Sequence, residues 1–375
     1  MFAPSVGAAT AAVDEKQRIG LQFGGAIGII ANVMVKRDIE RKPNNTKVSI
    51  VALPGTPLSS IAVPLDVFSS AATMCKRIFD TADESPFEVR VVSADGAPVE
   101  IMGGITVGGT HDLEALDRSD LIVVTALIDN SKSRAVLPTV VDRLRAAHEN
   151  GSRIAGLCTG AFVLAATGLL DGKAATTHWG ACRRFNTLFP KIRLLPHRLV
   201  VDEAPIYTSG GSHGASDLCF YLVEHLVGKE IALQWSRVLV KDFRTAVQSP
   251  YAVYVGNRRH ADAAVISVQD FLEEHYDKPL SVSDLAKRAG LGKRTFERRF
   301  KAATDDSPLV YLQRLRVEAA KRMLEMDNLS VAEMTYRVGY EDPSAFSRLF
   351  QKVVGIPPAA YRRKFAPGVA PVPET

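Results

Sequence analysis

The chain has 375 residues, of which 46% are hydrophobic and 23% charged, so it is too long for one ordinary core and too apolar for a disordered protein. Its formal net charge of +5 permits an anionic partner without requiring one, so the distribution of charge has to decide. The four cysteines form no C-x-x-C pair, which argues against a zinc ribbon or a disulfide framework. We therefore expect two domains with reduced thiols in the cytoplasm, no metal site, no cofactor and no membrane span.

Residues 1–46 form an N-terminal extension before the first predicted strand. Within it, residues 21–35 are apolar and glycine-containing, but the run is too short for a bilayer and lacks the flanks of a signal peptide. A polar stretch from Met34 onward leads into the first strand. We hypothesise that translation begins at Met34 and that the residues before it are disordered or wrongly assigned to the protein.

Residues 47–240 alternate short apolar runs with helical stretches. The apolar runs are continuous and rich in β-branched residues, which is typical of strands buried on both faces; they lie at 47–55, 87–95, 120–127 and 153–158. The helical stretches lie at 64–80, 137–150 and 215–240, the last broken near Gly228. This order predicts a doubly wound, mainly parallel α/β domain.

The sequence GLCTG at residues 156–160 places Cys158 between two small residues, after a strand and before a helix. This is the pattern of a nucleophile elbow, in which the nucleophile's backbone is strained and its neighbours must be small. A thiol at a helix N-terminus is expected to lean toward thiolate. His178 follows twenty residues later, and we expect the next strand to bring it near the sulfur.

After the α/β region the pattern changes. Residues 241–261 have no sustained period and contain Pro250 and Gly256, which predicts an interdomain linker. Residues 262–366 read as helical throughout, and the proline-rich residues 367–375 predict a flexible tail. The sequence therefore predicts an all-α second domain.

The second domain contains one unit twice, at residues 281–304 and 330–355. In each unit a serine precedes a short helix and an acidic residue follows three positions later, as in a capping box. Gly290 and Gly339 then permit a tight turn. Each second helix has two phenylalanines four residues apart, which we expect in the local core. The duplication predicts two helix-turn-helix motifs joined by a long helix at 307–325.

The second helix of the first unit carries charged side chains that are suited to reading bases. Arginine can bind guanine bidentately and glutamate can accept from cytosine, and the residues concerned are Arg294, Glu297, Arg298 and Lys301. The alternative is a merely solvated helix face, which the duplication disfavours. Residues 262–366 as a whole are only slightly basic, with 18 basic and 15 acidic residues. The positive charge is concentrated on this helix face and in residues 361–365.

Residues 262–366 closely resemble the AraC/XylS family of transcription regulators, and residues 339–363, GYEDPSAFSRLFQKVVGIPPAAYRR, are nearly its signature. The resemblance implies two helix-turn-helix modules in successive major-groove segments on one face of the DNA. Carried over by position, the base-reading candidates are Arg294, Glu297 and Arg298 in the first module and Ser344, Ser347 and Arg348 in the second. Pro343 is expected in the first turn of its helix.

Residues 47–240 resemble the ThiJ/PfpI superfamily, which is related to class I glutamine amidotransferases, through LCTGAFVLAATGLLDGKAATTHW (157–179) and YTSGGSHGASDLCFYLVE (207–224). More narrowly they resemble the sensor domain of GlxA-type regulators. The resemblance implies a flavodoxin-like, amidotransferase-like fold with a ligand cleft around Cys158 and His178, and Asp66 near the cysteine. His213 replaces a residue that is usually small, and we expect it to contact a ligand or to line the pocket.

We therefore predict a sequence-specific DNA-binding regulator, mainly an activator, whose first domain senses a small metabolite related to amino acids or amines. The expected partners are promoter DNA, a small-molecule effector, a second copy of the chain and, for an activator, RNA polymerase. The alternatives are a cysteine-dependent amidase or hydrolase and a thiol redox sensor. On the preferred reading Cys158, His178 and Asp66 are remnants of a catalytic site that bind ligand without turnover.

Overall fold

The computed structural model describes residues 45–79, 86–211, 214–238 and 247–366. Three predicted features lie outside the described residues: residues 1–44 of the N-terminal extension with the hypothesised start at Met34, His213, and the tail at 367–375. The last residue of the predicted extension, Thr46, already belongs to the first strand. The described chain divides into two compact units. The first unit contains 45–79, 86–171, 202–208 and 214–238, and the second contains 172–201, 209–211 and 247–366.

Ten strands and thirteen helices form in the described ranges. The strands are β1 Thr46–Val51, β2 Phe87–Val92, β3 Val99–Glu100, β4 Thr106–Val107, β5 Leu121–Val124, β6 Arg153–Gly156, β7 Ala174–Ala175, β8 Arg193–Leu194, β9 Val200–Glu203 and β10 Ile206–Ser209. The helices are α1 Ser59–Phe79, α2 Ser131–Glu149, α3 Ala161–Ala166, α4 Cys182–Leu188, α5 Gly214–Val227, α6 Lys229–Val238, α7 Ala263–Glu274, α8 Val282–Arg288, α9 Lys293–Thr304, α10 Pro308–Met326, α11 Val331–Arg337, α12 Pro343–Val354 and α13 Pro358–Phe365.

The main sheet has six strands in the order β2-β1-β5-β6-β10-β9. Strand β1 pairs in parallel with β2 and β5, and β6 pairs in parallel with β5 and β10. All four side chains of β5 are fully buried, as the continuous apolar runs predict. The predicted doubly wound, mainly parallel α/β fold is thus confirmed.

Several details of the α/β region differ from the prediction. Helix α1 begins five residues before Pro64 and α2 begins seven before Pro138, because both prolines lie inside their helices. A full capping box of Asn130 and Ser133 begins α2. Strands β9 and β10 were not predicted. The break between α5 and α6 is confirmed at Gly228, whose φ is +105°.

The helical domain has two hydrophobic cores that share one helix. Phe296 and Phe300 of α9 are fully buried in the first core, and Phe346 and Phe350 of α12 are fully buried in the second. The first half of α10 contributes Tyr311 and Leu312 to the first core. Its second half contributes four residues to the second core: Val317, Ala319, Ala320 and Leu324. The predicted pair of helix-turn-helix units joined by a long helix is confirmed.

Residues 247–261, which we call the strap, contain one short helical turn at Ser249–Tyr251 and are held by hydrogen bonds to the helical domain. Lys321 donates to the carbonyl of Ala252, Tyr254 donates to Asp306 at 2.8 Å, and Asn257 donates to the carbonyl of Ala303 at 2.6 Å. Gly256 lies so close to the Tyr311 side chain that a Cβ at this position would collide with the tyrosine hydroxyl. The strap is thus anchored to the helical domain. The sequence predicted residues 241–261 as an interdomain linker, and residues 241–246 of that range lie outside the described residues.

Candidate nucleic-acid interface and thiol site

Side-chain caps fix the start of the first helix in both helix-turn-helix units. Ser281 accepts from the amide of Asp284 at 3.2 Å at the start of α8. At α11 the box is complete, because Ser330 accepts from the amide of Glu333 at 3.1 Å and Glu333 accepts from the amide of Ser330 at 2.8 Å. The capping arrangement that the sequence predicts is therefore present, and it satisfies amides that have no partner within the helix.

The turn glycines adopt the conformation that the motif requires. Gly290 has φ +65° and Gly339 has φ +81°, a region in which a side chain is strained. At Gly339 an added Cβ would also collide with the carbonyl of Asp277. The glycines therefore allow the second helix of each unit to cross the first.

The predicted base-reading residues lie on the solvent-facing sides of α9 and α12. Arg294, Arg298, Lys301, Ser344 and Arg348 are exposed, whereas Glu297 and Ser347 are half-buried. Pro343 occupies the first turn of α12, and Asp342 caps that helix by accepting from the amide of Ser344 at 2.8 Å. Arg294 and Arg298, four residues apart, share one face and make no ion pair with a described residue.

Arg299, also on α9, is engaged in an ion pair within the domain. Its guanidinium binds both carboxylate oxygens of Asp262, at 2.9 and 2.7 Å, and these hydrogen bonds hold the pKa of Asp262 below its ordinary value. Asp262 in turn caps α7 through the amide of Val265. Arg299 therefore fixes α9 against the start of the domain, and the face available to DNA is correspondingly narrower.

Arg316, on the shared helix α10, was missed by the sequence reasoning. It is nearly buried and donates to the carbonyls of Tyr276 at 2.7 Å and Lys278 at 2.8 Å. Its guanidinium also lies 5.0 Å from the ring centroid of Tyr340, in the turn of the second helix-turn-helix motif. One side chain thus ties the segment that precedes α8 to the turn that precedes α12.

Cys158 lies at the predicted elbow between β6 and α3. Its φ is +55°, which is strained for a residue with a side chain. A Cβ on Gly160 would lie 2.6 Å from the carbonyl oxygen of Thr125, and one on Gly156 would lie 3.1 Å from the amide of Ala161. Close backbone packing therefore requires glycine at position 160 and leaves little room for a side chain at position 156, in agreement with the elbow pattern.

The thiol of Cys158 does not lean toward thiolate. The side chain is 8% exposed, and burial raises its pKa above that of an ordinary thiol, although hydrogen bonding to Thr159 acts in the opposite direction. The expectation of an activated thiolate is therefore wrong, because desolvation outweighs the favourable field of the helix terminus.

A small cavity lies beside Cys158 in the first unit. It has a volume of about 10 Å³, which is room for about one water molecule. Its walls come from the segments that follow the carboxyl ends of β1, β5 and β6, together with α1 and α5, and they include Pro57, Ser60, Ala126 and Ala215. This is the edge of the sheet where ligands of open α/β folds bind.

Asp66 is not part of that cavity. It is exposed on α1, whereas Ser60, one and a half turns earlier on the same helix, lines the cavity and accepts from the amide of Ala126 at 2.7 Å. The residues that line the cavity, within the described ranges, include no carboxylate. The placement of Asp66 beside the thiol is therefore not supported, and the polar side chains of α1 that line this cavity are Ser59 and Ser60.

His178 belongs to the second unit and caps a short turn at 179–181. Its Nδ1 accepts from the amide of Gly180 at 3.0 Å, so the neutral ring carries its proton on Nε2. Burial lowers the pKa of His178, which favours the neutral ring at pH 7. Among the described residues, the preceding strand β7 pairs with β8 in a separate two-stranded sheet and not with the main sheet. That this strand brings His178 near the sulfur stays a prediction.

Gln248, at the start of the strap, was also missed. Its buried side-chain amide donates to the carbonyls of Thr177 at 2.9 Å and Arg198 at 3.1 Å, and to the hydroxyl of Thr176 at 3.1 Å. A Cβ on Gly210 would lie 2.6 Å from its amide oxygen. Gln248 therefore connects the strap to the segment that leads into His178, and an isolated glutamine in a segment without period gives no sequence signal for this.

Comparison with known proteins agrees with both halves of this description. A helix-turn-helix domain model matches residues 285–364 and the DJ-1/PfpI family model matches residues 46–225. The HTH-type transcriptional regulator CdhR of Pseudomonas aeruginosa is 34% identical over 262 residues, which are 70% of this chain and 77% of that protein. The HTH-type transcriptional regulator GlxA of Rhizobium meliloti is 28% identical over 282 residues, 74% of this chain and 86% of that protein.

A solved structure is similar to part of the chain. The AraC family transcriptional regulator from Pseudomonas putida covers 52% of this chain and 99% of its own, with 24% identity and a TM-score of 0.45. Within the described residues, the helices are all too short or too polar to cross a membrane. No group of three or more histidine, cysteine or acidic side chains suited to a metal ion occurs in the described part of the chain either.

Proposed function

Since this chain belongs to the HTH-type transcriptional regulators that join a DJ-1/PfpI domain to an AraC-type DNA-binding domain, we propose that the first domain senses a small polar metabolite. We propose further that the metabolite is related to amino acids or amines, and that its binding governs how the C-terminal domain engages a promoter. On this proposal the protein catalyses no reaction of its own.

The proposal is supported by α9 and α12, the second helices of the two helix-turn-helix motifs, which we call the recognition helices and which pack against one shared helix. Helix α10 contributes to both cores, so α9 and α12 are presented together. Arg294 and Arg298 on α9 and Arg348 on α12 are exposed, and arginine is the side chain that reads guanine in the major groove. These features support reading of two successive groove segments by one chain.

The surroundings of Cys158 support sensing over turnover. A hydrolytic nucleophile or a redox-sensing thiol works as a thiolate that its substrate or oxidant can reach. The thiol here is buried, burial raises its pKa, and the cavity beside it holds about one water molecule. Neither the hydrolase nor the redox sensor is favoured by these observations.

The small volume of the cavity also suggests how sensing operates. A metabolite needs a few hundred Å³, so it can contact Cys158 only in a conformation in which the cavity has widened. A ligand that prefers this conformation shifts the population toward it. That His178 contacts the same ligand stays a prediction. Gln248 connects the segment before His178 to the strap, and we propose that a shift of this segment reaches the strap through Gln248.

We propose that the regulator acts as a homodimer in the cytoplasm and mainly as an activator. The tandem modules of one chain read one half-site, and two copies are needed to read a paired site. Activation, with contact to RNA polymerase, is the habit of the AraC/XylS family.

A thermal-shift screen of amino acids, betaines and polyamines tests the sensing claim. A true ligand raises the melting temperature by mass action, and we expect Cys158→Ala to reduce that shift while leaving promoter affinity unchanged. Cys182→Ala is the matched control, since Cys182 is a half-buried thiol that does not line the cavity.

Two outcomes would contradict this proposal. Turnover of an amide or carbonyl substrate that Cys158→Ala abolishes would identify an enzyme. Peroxide-dependent transcription that the same variant abolishes would identify a redox sensor.

A further inference from the structure

A groove of about 580 Å³ in the second compact unit is lined by ten residues, of which four are arginines. Helix α4 supplies Arg183 and Arg184 to one wall, and the strap supplies Arg258 and Arg259 to the other. The residues lining the groove, all of them in the described ranges, include no aspartate or glutamate. The groove is separate from the thiol cavity and from the exposed faces of α9 and α12, so it requires its own explanation.

Two of the four arginines are held by exposed carboxylates at the rim. Arg183 pairs with Asp305 at 2.9 Å, with the two side chains 55% and 66% exposed. Arg258 pairs with Asp270 at 2.6 Å and with Glu273 at 2.8 Å. Ion pairs this exposed to water contribute little stability, so an incoming anion can replace them at small cost.

Arg259 is different from its neighbours. It is exposed, and its guanidinium has no carboxylate within ion-pair distance among the residues the structure describes. Its side chain is therefore available to a ligand without breaking an ion pair. Its backbone amide is fixed by the side chain of Asn257, which accepts from it at 3.0 Å, so the chain direction at this wall of the groove is defined.

The size and charge of the groove select the ligand. A single carboxylate would occupy a small part of about 580 Å³ and would compete with carboxylates that are already tethered beside the arginines. A molecule that carries several phosphate groups brings enough charge to engage both walls at once. The guanidinium fork matches phosphate oxygens bidentately, as it matches carboxylates.

We propose that the arginine groove binds a polyanion through its phosphate groups. The phosphates can be those of a free molecule or those of the DNA backbone, since both present the same tetrahedral oxygens. In either case a phosphate at Arg183 competes with Asp305, which follows α9 and has φ +68°. Phosphate binding in the groove would thereby change the contacts of Asp305 at the end of α9.

The first test uses tripolyphosphate as the probe, with the full-length chain at fixed ionic strength and no DNA. We expect a saturable rise in melting temperature for the wild type and loss of most of this rise in Arg184→Gln/Arg259→Gln. The matched control is Arg118→Gln/Arg322→Gln, which removes the same charge from two exposed arginines outside the groove. We expect the control to behave as the wild type.

The second test measures how operator affinity depends on salt for the same three proteins. If DNA supplies the phosphates, the slope of log affinity against log salt falls by about 0.9 for each phosphate that the groove variant no longer neutralises. Loss of tripolyphosphate binding with an unchanged slope assigns the groove to a free molecule. If the groove variant matches the control in both tests, the groove is only a solvated surface and the proposal is wrong. The first test needs no DNA, so its result is independent of the regulator's promoter binding.

Discussion

Arg298 is the residue from which base reading can be tested most directly, because its side chain is exposed on α9 and free of ion pairs with described residues. We predict that Arg298→Ala costs about 1–3 kcal/mol at the cognate site and relaxes specificity at one base pair. Competition binding against single-base variants of the operator measures both effects. Arg322→Ala, on the exposed side of α10, is the control and is expected to change neither.

A different result would reassign Arg298. Arginine that contacts only phosphate positions the protein without reading sequence. If Arg298→Ala weakened binding to all sequences by the same factor, Arg298 would be a phosphate contact and the base-reading assignment would be wrong.

The protonation state of Cys158 decides between a pocket residue and a nucleophile. Because burial raises its pKa, we predict that alkylation of Cys158 in the folded chain reaches half its maximal rate at a higher pH than in the urea-unfolded chain. Peptide mass spectrometry of iodoacetamide-treated protein between pH 6 and pH 10 follows this residue individually. Burial raises the pKa of Cys182 to about 12, so Cys182 provides an internal reference for a slow thiol. Rapid labelling of Cys158 at pH 6 would show that the thiol is ionised there and would contradict the assignment of Cys158 as a pocket residue with a raised pKa.

Residue types alone could not place the polar groups around Cys158. The glycines at 156 and 160 predicted the elbow, because backbone atoms lie close to both positions and leave little room for a side chain. Asp66 could not be placed, because its position depends on where α1 begins, and α1 begins earlier than Pro64 suggests. The role of Arg299 likewise depends on Asp262, which is distant in sequence.

At the scale of elements, α10 is the part on which the DNA-binding domain depends, and Arg316 joins its two halves. We predict that Arg316→Ala destabilises the domain by about 1–3 kcal/mol, because two carbonyls lose their charged donor. Hydrogen exchange of amides in α12 and in the turn at Gly339 should therefore accelerate about 5- to 150-fold. Arg322→Ala, an exposed change on the same helix, should leave exchange unaltered. Equal exchange in both variants would mean that Arg316 does not join the two halves.

The elements with a strong period were predictable and the others were not. Paired phenylalanines, turn glycines and serine caps located both helix-turn-helix units, since each is a local signal. Strands β9 and β10 and the contacts of the strap were not predicted, because the partners involved are distant in sequence. The strap is fixed by partners such as Asp306, Ala303 and Lys321, and no local pattern encodes these.

At the scale of the whole molecule, the central claim is that paired helix-turn-helix modules recognise specific DNA under the control of a domain that has kept an enzyme's elbow without an activated thiol. The direct measurement is the selection of genomic fragments by the purified full-length chain against bulk competitor DNA, with and without a metabolite mixture, followed by sequencing. The account predicts enrichment of a few fragments that share paired half-sites, each spanning two major-groove segments. Recovery of fragments in the same proportions as the competitor, with and without metabolites, would contradict it.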